Sequence, residues 1–349
     1  MRLLVVAEQL RRPVPGGIGT YIRGLVGALD GPQVTLWASR PPGAGPDPIA
    51  GLGTVVASRL PARALVAAWD LGLGRPPGAP DVVHATSFAV PPTGPVPLSV
   101  MVHDLAWRHF PEAYPPRGRR WHEAALRRAL ARGHLLVVPS SPVADDLLAA
   151  GAPAGRVEVV EEGCDHLAEP DEPGAKALLD RLGVAGDFLL TVSTLEPRKN
   201  LPRLLAAYES AGDRLPPLLV VGPTGWGPAL RPVPGVVLAG PAGGGVLAAL
   251  YRQARALAYV PLREGFGLPV VEAMASGTPV VASAVPSAGG AALEVDPFDV
   301  GSIAAGLLRV ATDEGARAEL VAAGAARASQ LTWERAARRH VELWEGLRR

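Results

Sequence analysis

The sequence predicts an α/β protein built from two parallel-sheet domains, on three observations. Short continuous apolar runs bounded by charge or turn residues recur along the chain, as expected of strands buried on both faces. Segments with apolar residues at helical spacing lie between them, and strands alternating with helices argue for parallel sheets covered on both sides. The pattern runs through once, breaks at an acidic, proline-bearing stretch over residues 161–174, and then begins again.

In the first half, residues 3–7, 34–38, 54–57, 82–85, 98–102, 135–138 and 157–160 read as strands. Ile18, Tyr21, Ile22, Leu25, Val26 and Leu29 recur at helical spacing, and further helices fit 62–73, 119–132 and 141–150. Ser141-Pro142 supplies an N-cap and a first-turn proline for the last of these. In the second half, 188–192, 218–221, 236–239, 256–260 and 279–282 read as strands, with helices near 202–211, 246–253 and 268–276. From residue 300 onward the chain reads as wholly helical, closing in a helix from residue 333 with its apolar residues on one face. The expected domains are 1–165 and 174–332, the stretch between them being the linker.

A chain of 349 residues suffices for two such domains, each with its own core. Lys and Arg total 34 against 33 Asp and Glu, and 48% of residues are hydrophobic, so the composition is that of a globular protein rather than a disordered or nucleic-acid-coating one. The lone Cys164 excludes an internal disulfide and a thiolate metal cluster, and it fits a reducing cytoplasm. Because Met1-Arg2 leads directly into a strand pattern, no secretory leader is expected. The uncharged run 273–293 is broken by Gly277, Pro279, Pro286, Gly289 and Gly290, which argues against a membrane span. A cytoplasmic protein is expected. Its basic residues are almost all arginine. Lys176 and Lys199 are the only lysines and Asn200 the only asparagine, so the Lys199-Asn200 pair either marks a place where substitution was constrained or is a coincidence of composition.

The densest chemistry lies in residues 263–283, which read REGFGLPVVEAMASGTPVVAS. Glu264 precedes the glycine-bracketed turn Gly265-Phe266-Gly267, and Leu268-Pro269 then starts a helix, where a first-turn proline is tolerated. That helix carries Glu272 and closes at Gly277, a left-handed cap. Exposed N–H groups at a helix N-terminus attract phosphate, and carboxylates beside it suit sugar hydroxyls. The stretch reads as a sugar-phosphate site. Residues 194–200 follow the first strand of the second half. There Arg198 and Lys199 offer a forked donor and a point charge for a diphosphate, a solvated basic turn being the weaker alternative, with Asn200 as the expected N-cap of the next helix.

Gly16-Gly17-Ile18-Gly19 follows the first strand of the chain. Ile22 at the third glycine position and the long stretch from Ala7 to Gly16 exclude a dinucleotide fingerprint, leaving either backbone that an anion or sugar can approach closely or a plain flexible loop. His103-Asp104 ends a strand, where open α/β sheets place ligands, and could act as general acid/base or as a donor to a sugar hydroxyl. A histidine that merely ends a strand is the alternative, and it weighs more for His84. From Arg108 to Arg132, seven arginines face only Glu112 and Glu123, with Trp107, Tyr114 and Trp121 interleaved. Such a segment either rests on an anionic membrane surface or is an ordinary solvated face. Nothing further supports nucleic-acid binding.

Taken together, these residues resemble the retaining glycosyltransferases of family 4, which have the GT-B fold. The glycine loop at Gly16-Gly17, the His103-Asp104 strand end, the turn Glu196-Pro197-Arg198-Lys199-Asn200 and the Glu264…Glu272 element stand in the family's order across nearly the whole chain. The resemblance implies two Rossmann-like domains facing across a cleft, with residues 333–349 crossing back onto the N-terminal, acceptor-binding domain and the nucleotide-sugar donor on the C-terminal one. It also implies that Arg198 and Lys199 hold the diphosphate and stabilise the leaving nucleotide, and that Glu272 binds the ribose hydroxyls. Glu264 with Gly265, Phe266, Gly267 and Leu268 would hold the transferred sugar and part of the diphosphate. His103 would donate to the sugar, and Gly16 and Gly17 would approach the donor phosphates.

The turn at Glu196 is most similar in wording to bacterial mannosyltransferases that use GDP-mannose. The implied reaction moves a hexose, expected to be mannose, to a glycan, lipid or small-molecule acceptor with retention by front-face attack. The nucleotide sugar is the substrate, and neither a metal nor a cofactor is expected. The same chemistry with a UDP-sugar, as glucosyl or N-acetylglucosaminyl transfer, is one alternative. A GT-B protein that binds nucleotide sugars without turnover is another. Two departures from the family pattern stand out: Pro286-Ser287-Ala288-Gly289-Gly290 is short, and the stretch from Gly222 to Gly240, expected beside the nucleotide base, is compact.

Overall fold

The apolar runs become the strands of two separate, wholly parallel sheets. The computed structural model describes residues 1–349 except Pro42, Ala44, Gly45, Trp226 and Pro228. Two units share the chain, one of Met1–Gly163 with Trp333–Arg349 and one of Cys164–Thr332.

The N-terminal unit holds strands β1 (Arg2–Val6), β2 (Gln33–Ala38), β3 (Thr54–Ala57), β4 (Val82–Ala85), β5 (Leu98–Met101), β6 (Leu135–Val138) and β7 (Val157–Val159). Its helices are α1 (Gly16–Ala28), α2 (Ala62–Asp70), the short α3 (Ala106–His109), α4 (Pro116–Arg132) and α5 (Ser141–Ala149). The sheet order is β3-β2-β1-β4-β5-β6-β7. Side chains alternate between its faces, as strand geometry requires. Leu3 and Val5 of β1 enter a core with Tyr21, Ile22 and Leu25 of α1, whereas Leu4 and Val6 enter a second core with Leu65 and Trp69 of α2.

The C-terminal unit holds α6 (Glu172–Leu182), β8 (Leu189–Val192), α7 (Leu201–Ala211), β9 (Leu218–Val221), β10 (Val236–Gly240), α8 (Gly244–Gln253) and β11 (Ala256–Tyr259). It continues through α9 (Leu268–Ala275), β12 (Val280–Ala282), β13 (Leu293–Glu294), α10 (Val300–Thr312) and α11 (Glu314–Ala328). Its sheet order is β10-β9-β8-β11-β12-β13. Here too Leu190, Leu219 and Leu257 face one core and Leu189, Leu218 and Ala256 the other.

The last helix, α12 (Trp333–Leu347), belongs to the N-terminal unit. Trp333 packs so tightly on α1 that a Cβ at Gly24 would come within 2.1 Å of its ring. A chain of hydrogen bonds then runs from one end of α12 into the sheet and back. Trp344 Nε1 donates to Ser99 Oγ at 2.8 Å, and Ser99 lies 2.7 Å from His84 Nδ1. His84 Nε2 lies 2.9 Å from Tyr21 OH, which lies 2.9 Å from His340 Nε2; His340 Nδ1 donates to the Ala336 carbonyl at 2.8 Å. Because that carbonyl can only accept and the indole can only donate, every proton in the chain is assigned: Ser99 donates to His84, His84 to Tyr21 and Tyr21 to His340. Both imidazoles are neutral in this arrangement. Burial pushes His84 well below the usual histidine range and His340 down to about 4, and it pushes the Tyr21 hydroxyl well up.

Three local expectations are corrected. The predicted linker already contains the start of α6, because Asp171 caps it by accepting from the Gly174 N–H at 2.9 Å, and Glu172-Pro173 forms its first turn. Ser141 is the first residue of α5 rather than its cap, and Ser140 in the cap position makes no side-chain capping bond. Residues 293–294 form a further strand, too short to show a pattern. No helix among the described residues is long and apolar enough to cross a membrane.

Candidate active site

In the C-terminal sheet the strand order reverses between β8 and β11, which lie side by side at its centre. Open α/β sheets take their ligands beyond the carboxyl ends of the strands at such a point. The loops leaving these two strands carry Arg198-Lys199 and Glu264-Gly265. Backbone bonds tie the loops together, with the Leu262 N–H donating to the Arg198 carbonyl at 2.9 Å.

The three charged residues converge. Lys199 Nζ lies 2.6 Å from Glu264 Oε1 and donates to Tyr259 OH at 2.9 Å, while Tyr259 donates to the same Glu264 oxygen at 3.0 Å. Arg198 Nη1 stands 3.2 Å from Glu264 Oε2, and its Nη2 lies 3.2 Å from Glu196. Two cations thus face two carboxylates, all largely buried, so the cluster is nearly neutral without a ligand. Burial alone would raise the Glu264 pKa, but the charges of Arg198 and Lys199 and the bonds from Lys199 and Tyr259 outweigh it and hold the carboxyl at about 2. Tyr259 is pushed well above the usual phenol range by burial and by the Glu264 charge. A lysine ammonium has three donors, and two are committed here.

Asn200 is not the side-chain cap expected of it. It adopts the left-handed conformation at φ 59°, which asparagine tolerates better than most residues, and makes no capping bond. Its Nδ2 instead donates to the carbonyls of Val260 at 3.0 Å and Pro297 at 2.8 Å, and Arg203 donates to its Oδ1 at 2.7 Å. The chain's only asparagine therefore turns Lys199 into the site and pins that turn to the end of β11.

Gly267, at φ 101°, forms the cap position of α9, and Pro269 stands in the first turn of that helix. A Cβ on Gly267 would meet Val285 at 2.2 Å. The short segment after β12 supports this turn from below: Ser287 N donates to the Phe266 carbonyl at 3.0 Å and Ser287 Oγ to the Gly267 carbonyl at 2.9 Å. Gly265, Phe266, Gly267 and Leu268 thus form a braced turn beside Glu264. Within α9, Glu272 forms a separate cluster, lying 2.9 Å from His166 Nε2 and accepting from Tyr251 OH at 2.8 Å. Tyr251 is pushed well up by burial, then by the Glu272 charge and bond. Trp226 and Pro228, in the stretch expected beside the base, lie outside the described residues.

His103, Gly16 and Gly17 belong to the N-terminal unit. Gly16 and Gly17 are the first turn of α1 rather than a loop before it, with Gly16 at φ 59°. His103 sits beyond β5, its Nδ1 3.2 Å from Glu162 and its Nε2 3.0 Å from the Thr86 carbonyl, with its ring edge-on to Tyr21. Both ring nitrogens are thereby engaged inside this unit. Of the aromatic residues interleaved with the arginines, Trp107 is buried, while Trp121 and Tyr114 pack on its core. None of the three stands out as a membrane anchor.

Residues 15–166 match the Glycosyltransferase Family 4 family, and residues 186–313 match Glycosyl transferases group 1. D-inositol 3-phosphate glycosyltransferase of Actinosynnema mirum is 32% identical over 303 residues, covering 74% of this chain and 70% of that protein. The chain belongs to glycosyltransferase family 4. The O-antigen chain mannosyltransferase B of Escherichia coli is 32% identical to this chain over 252 residues, 66% of each chain. The chain spans between 52% and 66% of the length of several such relatives. In fold, the chain is similar to the Anabaena HepE protein in complex with UDP and glucose, with a TM-score of 0.73, 17% identity and coverage of 99% and 100% of the two chains. Its two Rossmann-like domains are those of the GT-B fold.

Sequence reasoning missed Tyr259, Tyr251 and His166. Tyr259 ends a strand whose carboxyl end was already of interest, and a polar-tipped aromatic there was the available signal. His166 and Tyr251 had none, since they meet Glu272 only in the folded unit.

Proposed function

We propose that this glycosyltransferase is a retaining hexosyltransferase that moves mannose from GDP-mannose to a glycan, lipid or small-molecule acceptor in the cytoplasm. The convergence of Arg198 and Lys199 beyond the carboxyl ends of β8 and β11 carries the reading. In it, the diphosphate takes donors from both cations, whose charge stabilises the leaving nucleotide as the bond from the sugar C1 to phosphate breaks. The acceptor oxygen bonds C1 from the same face, and its proton passes to the departing phosphate oxygen. Fixed guanidinium and ammonium charge takes the place a divalent ion would otherwise fill. Glu264 holds the sugar, Glu272 binds the ribose, and His103 donates to the sugar by giving up its Nε2 bond to the Thr86 carbonyl. The segment from Arg108 to Arg132 is proposed to make a peripheral contact with an anionic membrane through its exposed arginines. The mannosyltransferase relative supports mannose, whereas the HepE likeness favours a UDP-sugar as the second reading.

Slow donor hydrolysis without acceptor, followed across GDP-, UDP- and ADP-sugars, tests this. Release of GDP from GDP-mannose above the others is expected. If no donor is bound or hydrolysed, the transferase reading fails, and preference for a UDP-sugar moves it to the second. Glu272→Ala is expected to weaken free GDP roughly tenfold, since a bidentate ribose contact of about 1–2 kcal/mol is lost. Equal affinities of parent and variant in calorimetry would remove the ribose role.

A further inference from the structure

Helix α4 carries six arginines, and, the exposed Arg117 apart, the structure sorts them into two groups. Arg128 pairs with Asp70, and Arg132 donates to the carbonyls of Trp69 at 3.0 Å and Val90 at 3.2 Å, so these two fasten the helix to the unit. Arg119, Arg120 and Arg127 do not. With Trp107, Arg108 and Glu123 they line an open cavity of about 570 Å³.

Glu123 is the one acid in that lining. It stands four residues after Arg119, three after Arg120 and four before Arg127, the spacings at which a helix pairs opposite charges. Its carboxylate is nevertheless committed elsewhere. Arg108 grips it through Nε and Nη2, each at 2.8 Å, and Trp107 Nε1 donates to it at 2.7 Å. Three guanidiniums therefore share one cavity, and no ion pair to a protein carboxylate is formed by any of them among the described residues. Trp107 and Arg108 lie in α3, directly after His103, on the carboxyl side of β5 where this sheet would take a ligand. The Glu123 charge still acts on Arg127, but one carboxylate already gripped by Arg108 leaves the cavity with an excess of positive charge.

We propose that this cavity binds the phosphoryl group of a phosphorylated acceptor; the acceptor part of this rests on the transferase reading above. Guanidinium forks match the tetrahedral oxygens of phosphate and bind a multiply charged anion in preference to a single carboxylate. The phosphoryl group can be carried by a lipid headgroup or by a soluble sugar phosphate.

The test compares the parent with Arg119→Gln/Arg120→Gln/Arg127→Gln and with a charge-matched control, Arg12→Gln/Arg59→Gln/Arg63→Gln, at exposed positions of the same unit. Inorganic phosphate binding is measured by calorimetry, and vesicle binding by sedimentation with phosphatidylcholine containing phosphatidic acid. Any phosphate bound at Arg198 and Lys199 is common to all three proteins, so differences report the cavity. The cavity variant is expected to lose at least about tenfold in affinity and the control to match the parent. Loss with phosphate assigns a soluble phosphorylated ligand, and loss confined to vesicles assigns a lipid headgroup. Unchanged affinity for both probes overturns the proposal, as does equal loss in the control, which would mean net charge alone. Thermal melts establish that all three fold. Donor hydrolysis is measured alongside and is expected to be equal in the three; its absence from the parent counts against the transferase reading and leaves the phosphate result standing.

Discussion

Lys199→Ala should lower turnover by about 10²–10³-fold, the scale for removing one preorganised charge donor from a transition state. The folded protein should survive the change. Glu264 would keep Arg198 at 3.2 Å and Tyr259 at 3.0 Å, so its buried charge is not left alone. Single-turnover rates with donor at saturation separate chemistry from binding, and a rate equal to the parent's removes Lys199 from the mechanism.

The near-neutral resting cluster makes the companion variant more informative. In the sequence, Glu264 is read as a sugar ligand that leaves the two cations free for phosphate. In the structure it lies against both of them, so a diphosphate must compete with it or use the donors it leaves unused. Glu264→Gln would strip that competing charge, and free GDP is then expected to bind more tightly while turnover falls through loss of the sugar contact. Tighter GDP with full turnover would reduce Glu264 to a counter-ion.

What the sequence made legible was local. The continuous apolar runs of β6, β9 and β11 announced strands covered on both faces, and the turn around Arg198-Lys199 and the segment from Glu264 to Glu272 each lie within a few residues of chain. What it hid was pairwise and distant. His166 lies 106 residues from Glu272, and Tyr21 lies 319 from His340, and periodicity carries no information about such partners. His84 was weighed as a strand-end histidine, and it is indeed structural, yet nothing in its surroundings named Tyr21, Ser99 or the last helix. The start of α6 was hidden for a different reason. Acidic residues and prolines mark linkers, and the same residues also open helices, with Asp171 as cap and Pro173 in the first turn.

The buried histidine chain should make stability fall as pH drops from about 6.5 to about 4. His340 has a folded pKa of about 4, below its unfolded value near 6.5, so the folded state keeps the ring neutral while the unfolded chain takes up a proton. Protons bound preferentially by the unfolded state stabilise it, so the contribution is full above pH 6.5 and lost on the way down. About 2.5 pH units at roughly 1.4 kcal/mol each gives about 3.5 kcal/mol from His340, and His84, shifted in the same direction by burial, adds with the same sign. The loss has a structural form. A protonated His340 can no longer accept from Tyr21, which breaks the chain between α12 and the sheet at its centre. His340→Gln keeps an acceptor for Tyr21 but cannot titrate, so it should be less stable than the parent at pH 7 and show a shallower dependence between pH 6.5 and 4. Denaturant unfolding across that range reads both quantities, and equal slopes for parent and variant would show that His340 does not set the acid limit.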